Sequence, residues 1–246
     1  MFTNSHQSIA TRNFDVIVVG GGAAGCATTY NLAINGANVA LLEKFDLNTQ
    51  ASGRNAGSLH GQIQFEPFHE LGMKWARDFL PGLSFLASSL EIWKTLSEKL
   101  STDLEVGGKG GLMVAESASD MEALEVKVKL ENEIGIASKL IDQRELHELA
   151  PYISQKMLGA AFCPIEGKAN PLVTAPAFAA RAKEAGATIA TGVEVLDISK
   201  ENSKFKLETN LGSFYAEKIV LTANAGLPKL AKSLGFELPI TDVPVQ

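Results

Sequence analysis

Blocks of apolar residues alternate with polar blocks along the chain, and the first apolar block predicts a buried strand. Residues 16–19 are apolar and mostly β-branched, and they follow Asp15. Such a run suits a strand that is buried on both faces. The small residues at 23–35 predict a helix that ends at Gly36, and residues 38–42 predict a second strand. This order predicts an α/β unit at the start of the chain.

A long helical block follows at residues 65–100, where apolar residues recur at helical spacing. The pair Pro81-Gly82 predicts a break within this helix. Beyond it, residues 102–106 and 110–115 have the composition of short strands. The chain therefore passes from a helix into a region of mixed strands and helices.

Two capping boxes predict the helices of this mixed region. Ser119-x-x-Glu122 predicts a helix over residues 119–134, and Asp142-x-x-Glu145 predicts a short helix that stops before Pro151. The longer helix carries charged residues that predict a solvent-facing surface: Glu122, Glu125, Lys127, Lys129 and Glu131.

After Asn170 the sequence predicts a helix followed by a β-meander. The alanine-rich run reaches Gly186, and Pro176 within it predicts a kink or a later start of the helix. Strand-like runs separated by polar turns then follow at residues 187–191, 193–199, 204–209, 213–216 and 218–221.

The turn after the first strand has the spacing G-x-G-x-x-G at Gly20, Gly22 and Gly25. These glycines permit a tight turn, a close approach of backbone to a pyrophosphate and close packing of the next helix. Glu43 ends the second strand, about 20 residues further on, where a carboxylate accepts hydrogen bonds from a ribose 2′-OH and disfavours the 2′-phosphate of NADP. The context predicts a dinucleotide site; the alternative is a glycine turn without a ligand.

Composition excludes several other classes of function. The 246 residues suffice for one large domain or two smaller ones, and the net charge of −6 argues against a nucleic-acid surface. No apolar run approaches the roughly 18 residues of a membrane span, and the polar start predicts a leader that is not a signal peptide. Cys26 and Cys163 are too few for a disulfide framework or a zinc site. We therefore expect a cytoplasmic protein without a metal, with peripheral association at the inner membrane as the alternative.

A third stretch consists mostly of small residues and turn formers, as loops do: Ser52-Gly53-Arg54-Asn55-Ala56-Gly57. It predicts either a plain surface loop or a loop that lies along a flat cofactor ring. With the glycine turn and Glu43 before it, this stretch resembles the D-amino-acid oxidase family of flavoproteins, which includes glycine oxidase and sarcosine oxidase. The resemblance implies FAD rather than NAD as the cofactor.

The resemblance also implies which residues hold FAD. They are Gly20, Gly22, Ala23, Ala24, Gly25, Glu43, Lys44, Ser52, Arg54, Asn55, Ala56 and Gly57. Two later stretches match the family as well: Val193, beside the adenine side of FAD, and the turn of Asn224, Ala225 and Gly226. Each has a simpler interpretation, because a buried strand needs valine and a strand-to-helix turn needs glycine. The matched stretches follow one another in the same order as in the family, which favours the resemblance over these simpler interpretations.

Residues 59–64 are expected to form a strand that leaves the flavin. Alternate side chains of a strand share a face, so His60, Gln62 and Gln64 are predicted to point the same way. His60 is the one candidate for a catalytic residue or for the wall of a substrate cavity, and a structural histidine is the alternative.

The predicted fold is α/β: an FAD-binding, Rossmann-like domain of the glutathione-reductase type with a β-meander, interrupted by an α+β substrate domain. The FAD domain is assigned to residues 12–92 and 159–235, and the substrate domain to residues 93–158 with a second segment at 236–246. Family members continue beyond this point, so we expect a C-terminally truncated chain that lacks part of its substrate site.

The resemblance implies oxidation of the C–N bond of a small amino acid or secondary amine, such as a D-amino acid, glycine, sarcosine or proline. Oxygen or a respiratory chain is expected to reoxidise the flavin, and the oligomeric state stays open. The alternatives are a flavin-dependent C–OH dehydrogenase of the 2-hydroxyacid or glycerol-phosphate type, and an FAD-binding subunit without catalysis.

Overall fold

The computed structural model describes residues 12–240 and divides the chain into two compact units. Among these residues, the first unit combines 12–55 with 171–240, and the second is Ala56–Asn170. These divisions differ from the domain boundaries expected from the sequence, since the whole of the long helix at 65–99 belongs to the second unit. No helix in the described residues has the length and apolar character that crossing a membrane requires.

The strands and helices follow one another in the predicted mixed pattern. In chain order the strands are β1 (Asn13–Val19), β2 (Val39–Leu42), β3 (Ser58–Leu59), β4 (Gly111–Ala115), β5 (Lys139–Asp142), β6 (Gly159–Cys163), β7 (Gly167–Lys168), β8 (Thr188–Ala190), β9 (Val195–Glu201), β10 (Lys204–Thr209) and β11 (Gly212–Leu221). The helices are α1 (Ala23–Ile34), α2 (Phe65–Lys99), α3 (Ala118–Glu133), α4 (Gln143–Leu149), α5 (Pro171–Glu184) and α6 (Leu227–Ser233).

The first unit is built on a six-stranded sheet in the order β8-β2-β1-β11-β10-β9. β1 lies between β2 and β11 and is parallel to both, whereas β9, β10 and β11 form antiparallel pairs. All of β2 and the last four residues of β1 are buried, as their apolar runs predict. Helices α1 and α5 pack together, with the rings of Tyr30 and Phe178 5.6 Å apart. The mixed α/β fold expected from the sequence is therefore confirmed.

The predicted pair of strands at 213–216 and 218–221 is one continuous strand, β11. Glu217 interrupts the apolar run and is exposed, yet the backbone on either side of it still pairs with β1, as Ala216 does with Phe14 and Lys218 with Val16. Backbone pairing does not depend on the side chain, so a polar residue on the solvent side leaves the strand intact.

The second unit contains the antiparallel sheet β4-β6-β5, with α3 and α4 packed against β6. β3 and β7 form a separate two-stranded pair. Helix α2 has its break at Gly72 (φ 73°, ψ −169°) and not at the predicted Pro81-Gly82. Glycine adopts this positive φ without steric cost, whereas Pro81 keeps a helical φ and removes only one N–H donor.

Four further expectations for this unit are wrong in whole or in part. Residues 102–106 are not a strand, because the N–H groups of Thr102 and Leu104 donate to Ser97 at the end of α2. Helix α3 is capped by Ser117 with Asp120, two residues before the predicted box. The short helix α4, by contrast, has the predicted box of Asp142 and Glu145.

The third error concerns the strand predicted at 59–64, which extends only over Ser58–Leu59. Gln62 is buried while His60 and Gln64 are exposed, so the three side chains do not share a face. The N–H groups of Gly61 and Ile63 donate to the carboxylates of Glu166 (2.6 Å) and Glu131 (2.7 Å), which replace the partners of a strand.

The predicted solvent-facing surface of α3 is confirmed for Glu122, Glu125 and Lys129, which are exposed. It is wrong for Lys127 and Glu131, which have no solvent exposure. Lys127 Nζ lies 2.7 Å from Glu131 Oε1 and donates to Gln62 Oε1 at 2.8 Å. Gln62 in turn donates to Glu166 at 2.8 Å. Burial lowers the pKa of Lys127, and the Glu131 carboxylate opposes this shift. We call Lys127, Glu131, Gln62 and Glu166 the buried polar cluster.

Candidate functional site

The glycine turn after β1 is held in a conformation that requires two of its glycines. Gly20 has a φ of 111°, in the region that side chains disfavour, and its N–H donates to Leu42 at the end of β2 (2.9 Å). A Cβ on Gly25 would overlap the carbonyl oxygen of Gly20. The first turn of α1 therefore lies directly against the end of β1, as the motif predicts.

Ser52 reaches the start of α1 from the loop that precedes the second unit. Its Oγ accepts a hydrogen bond from the N–H of Ala23 at 3.1 Å, and a Cβ on Gly22 would lie 2.8 Å from the same oxygen. Gly22 itself provides no side-chain cap for α1. The serine of the predicted loop thus supplies a cap for the helix that follows the glycine turn.

Glu43 is fixed at the end of β2 by backbone donors. Its two carboxylate oxygens accept from the N–H of Gly21 at 2.6 Å and from the N–H of Phe45 at 2.8 Å. The side chain is therefore oriented before any ligand is bound. It lies in the wall of a cavity in the first unit, where the sequence predicted an acceptor for ribose hydroxyls.

This cavity has a volume of about 410 Å³, within the range of small-molecule sites. Among the residues in its wall are nine that the sequence predicted: Gly20, Gly22, Glu43, Lys44, Ser52, Val193, Asn224, Ala225 and Gly226. They come from the glycine turn, the end of β2, the following loop, the start of the meander and the turn after β11. Topology thus brings together five separate stretches of the first unit at one end of its sheet.

The other predicted residues of the first unit do not line this cavity. Ala23, Ala24 and Gly25 form the first turn of α1. Arg54 is exposed, and Asn55 Nδ2 donates to the carbonyls of Ala51 and Ser52, both at 2.9 Å. Asn55 therefore holds the 3-10 turn that carries Ser52.

The remaining predicted residues, Ala56, Gly57 and His60, belong to the second unit. The carbonyl of Gly57 accepts from the N–H of Ala169 at 2.9 Å. The His60 side chain is 60% exposed, and its Nδ1 lies 3.9 Å from Glu166 Oε1. His60 is thus next to the buried polar cluster, and its catalytic role stays a prediction.

Several residues of the cavity wall were missed from the sequence, among them Asn48 and Thr222. Asn48 is buried with a φ of 64°, and its Nδ2 donates to the carbonyl of Pro171 at 2.7 Å. Its Oδ1 has no hydrogen-bond partner among the described residues. A lone asparagine in a polar loop gives no signal for burial, whereas Thr222 could have been found as the residue directly after the last buried strand.

Cys26 lies in α1 behind the glycine turn and is fully buried. Burial raises the pKa of its thiol to about 12, and the Glu43 carboxylate adds to the shift. The thiol is therefore protonated and unreactive at neutral pH, as a structural cysteine in a helix interior is. In the part of the chain that the structure describes, no group of three or more His, Cys, Asp or Glu side chains is arranged to hold a metal ion.

These residues fit the adenosine and pyrophosphate part of FAD. Gly22 has no Cβ beside the Ser52 hydroxyl at the helix N-terminus, where N–H groups and the dipole favour a phosphate. Glu43 places a carboxylate in the cavity wall, the kind of group that accepts hydrogen bonds from ribose hydroxyls, and Val193 contributes an apolar side chain.

The chain is similar to proteins of known activity over almost all of its length. It is 29% identical over 244 residues to sarcosine oxidase subunit beta from Arthrobacter sp, covering 96% of this chain and 57% of that protein. The glycine oxidase of Geobacillus kaustophilus is 29% identical over 237 residues, covering 95% of this chain and 60% of the relative. The crystal structure of that glycine oxidase superposes with a TM-score of 0.76 over 93% of this chain.

A third relative is one of the subunits of the anaerobic glycerol-3-phosphate dehydrogenase from Escherichia coli K12. It is 28% identical over 193 residues, covering 78% of this chain and 33% of the relative. The chain thus spans 57% and 60% of the length of the two oxidases above. Residues 15–246 match the family described as FAD dependent oxidoreductase (DAO), and the chain belongs to this family, whose cofactor is FAD.

Proposed function

We propose that this member of the family oxidises the C–N bond of a small amino acid or secondary amine. The supporting observation is the extent of similarity: the sarcosine and glycine oxidases align with 96% and 95% of the chain, the glycerol-3-phosphate dehydrogenase with 78%. The similarity to the two oxidases therefore extends over a larger part of the chain than the similarity to the dehydrogenase.

The cavity of the first unit is the proposed site of the adenosine and pyrophosphate of FAD. The glycine turn with Ser52 and the start of α1 would receive the pyrophosphate, and Glu43 the ribose. Val193 and the turn of Asn224, Ala225 and Gly226 complete the proposed wall. The bound flavin supplies the redox chemistry, as acceptor of a hydride from the substrate carbon. The role of the polypeptide is to bind and orient the cofactor.

Oxidation of a C–OH bond is the second candidate, since the glycerol-3-phosphate dehydrogenase is also a relative. The cofactor site does not separate the two, because one fold supports several chemistries. The electron acceptor and the cytoplasmic location stay predictions from the sequence, and the oligomeric state stays open.

An anaerobic titration of the purified, FAD-loaded chain tests the proposal. Glycine, sarcosine, proline and a D-amino acid are added in parallel with glycerol 3-phosphate and a 2-hydroxy acid, and flavin absorbance is recorded. We expect an amine to bleach the bound flavin while the hydroxy compounds leave it oxidised. Bleaching by a hydroxy compound alone would establish the second candidate instead. Bound flavin that no compound bleaches would favour a non-catalytic FAD-binding protein, and the same titration on a longer chain would check that outcome.

A further inference from the structure

Thr222 connects the end of β11 to the glycine turn by three hydrogen bonds. Its N–H donates to the carbonyl of Val19 at 2.8 Å. Its hydroxyl lies 2.9 Å from the same carbonyl oxygen and 3.1 Å from that of Gly20, so its proton is shared between the two. The residue lies in the wall of the proposed FAD cavity.

The same two peptide groups are held on their N–H side by the end of β2. The N–H of Gly20 donates to the carbonyl of Leu42 at 2.9 Å, and the N–H of Gly21 donates to the carboxylate of Glu43 at 2.6 Å. In a planar trans peptide the N–H and C=O point in opposite directions. Partners on both sides therefore fix the rotation of the Val19–Gly20 and Gly20–Gly21 peptide planes.

Thr222 also packs closely against the first and third glycines of the motif. A Cβ on Gly20 would lie 2.7 Å from the Thr222 carbonyl oxygen, and a Cβ on Gly25 would lie 2.7 Å from the Thr222 hydroxyl. The threonine thus fills the space that the first and third glycines of the motif leave open.

Peptide orientation matters here because an anion is attracted by N–H groups and repelled by carbonyl oxygens. A hydroxyl that binds two successive carbonyls keeps their negative ends directed at β11. We propose that Thr222 is a positioning residue for the pyrophosphate of FAD, acting through the glycine turn. This inference rests on the proposed assignment of FAD to the cavity.

The test compares FAD binding by four variants of the full chain. Thr222→Val removes the hydroxyl at nearly constant shape, Thr222→Ser keeps it, and Thr222→Cys replaces it with a weak donor in case the valine variant does not fold. Thr29→Val is the matched control, since Thr29 is a fully buried threonine whose hydroxyl also donates to a backbone carbonyl, that of Gly25 at 2.8 Å within α1.

We expect the dissociation constant of FAD to rise about tenfold in T222V, the equivalent of one lost hydrogen bond, and less in T222C. T222S and T29V should stay within about twofold of the unchanged chain. The phosphorus NMR signals of bound FAD should shift in T222V and not in T29V, which a merely structural effect would not produce.

An unchanged dissociation constant and phosphorus spectrum in T222V, or in T222C if T222V does not fold, would overturn the inference. If the cavity is not an FAD site at all, the result differs from this one. It would appear as a wild-type chain that binds neither FAD nor ADP, and the inference would fall with it. A wild-type chain that binds ADP alone allows the same comparison with ADP as the probe.

Discussion

Lys127 shows how much a single buried charge depends on its neighbours. Two ion pairs with i, i+4 spacing lie on α3: Lys127 with Glu131, fully buried, and Glu125 with Lys129, more than half exposed. Removing one partner of a buried pair leaves an uncompensated charge, whereas an exposed pair is screened by water.

We therefore predict that Lys127→Met lowers the free energy of unfolding by about 3–5 kcal/mol. Urea unfolding of the full chain measures the change. The double variant K127M/E131Q should recover part of the loss, because a glutamine oxygen still accepts from the N–H of Ile63.

Lys129→Met on the exposed pair is the matched control and should leave the unfolding curve nearly unchanged. Equal losses in the two single variants would show that burial does not distinguish the pairs. The sequence could not make this distinction, since both pairs have the same spacing and charge, and only tertiary packing decides which of them faces the core.

At the level of secondary-structure elements, the corrected cap at the start of α3 can be tested by mutation. Ser117 Oγ accepts from the N–H of Asp120 at 3.1 Å, and the Asp120 carboxylate accepts from the N–H of Ser117 at 3.0 Å. Ser119, the predicted cap, lies inside the helix, and its hydroxyl is 2.8 Å from that of Ser117.

Ser117→Ala should lower the free energy of unfolding by about 1 kcal/mol, because it leaves the N–H of Asp120 without its cap. Ser119→Ala, measured in the same thermal or urea unfolding experiment, should have a clearly smaller effect. A larger loss of unfolding free energy in S119A than in S117A would show that Ser119 is the cap, as the sequence predicted.

The elements that the sequence predicted well are those with strong local signals. β1, β2 and the glycine turn follow from a buried apolar run and a spacing motif, and α4 follows from the box of Asp142 and Glu145. The break of α2 at Gly72 was missed because a lone glycine competes with the stronger signal of Pro81. Nine predicted residues meet in the cavity. Asn48 was missed because its contact with Pro171 joins distant stretches of chain, whereas the position of Thr222 directly after β11 was a signal that the sequence offered.

For the whole molecule, the buried thiol of Cys26 predicts a loss of stability at alkaline pH. Its pKa is about 12 in the folded chain against 9.0 for a free thiol, so the folded state binds more protons between these values. Stability is then fully present below about pH 9 and falls as pH rises, by at most about 1.4 kcal/mol per pH unit.

Unfolding free energies of the unchanged chain and of Cys26→Ala, measured from pH 7 to pH 11, test this prediction. Other groups titrate in the same range, so the difference between the two curves is the relevant quantity. The difference in unfolding free energy between the two proteins should be constant up to about pH 8.5. It should become smaller above this pH, because the thiol of the unfolded chain ionises there. Parallel curves throughout would contradict the assignment.

The pairing of β1 with β11 also has a consequence for the order of folding during synthesis. Val19 pairs with Leu221, whereas the second unit is the continuous segment Ala56–Asn170. Closing a contact between such distant residues is slow, and domains form as their residues leave the ribosome. The second unit can fold before β11, the partner strand of β1, has been synthesised. The glycine turn of the nascent chain therefore gains its hydrogen bonds to Thr222 only when Thr222 has emerged from the ribosome.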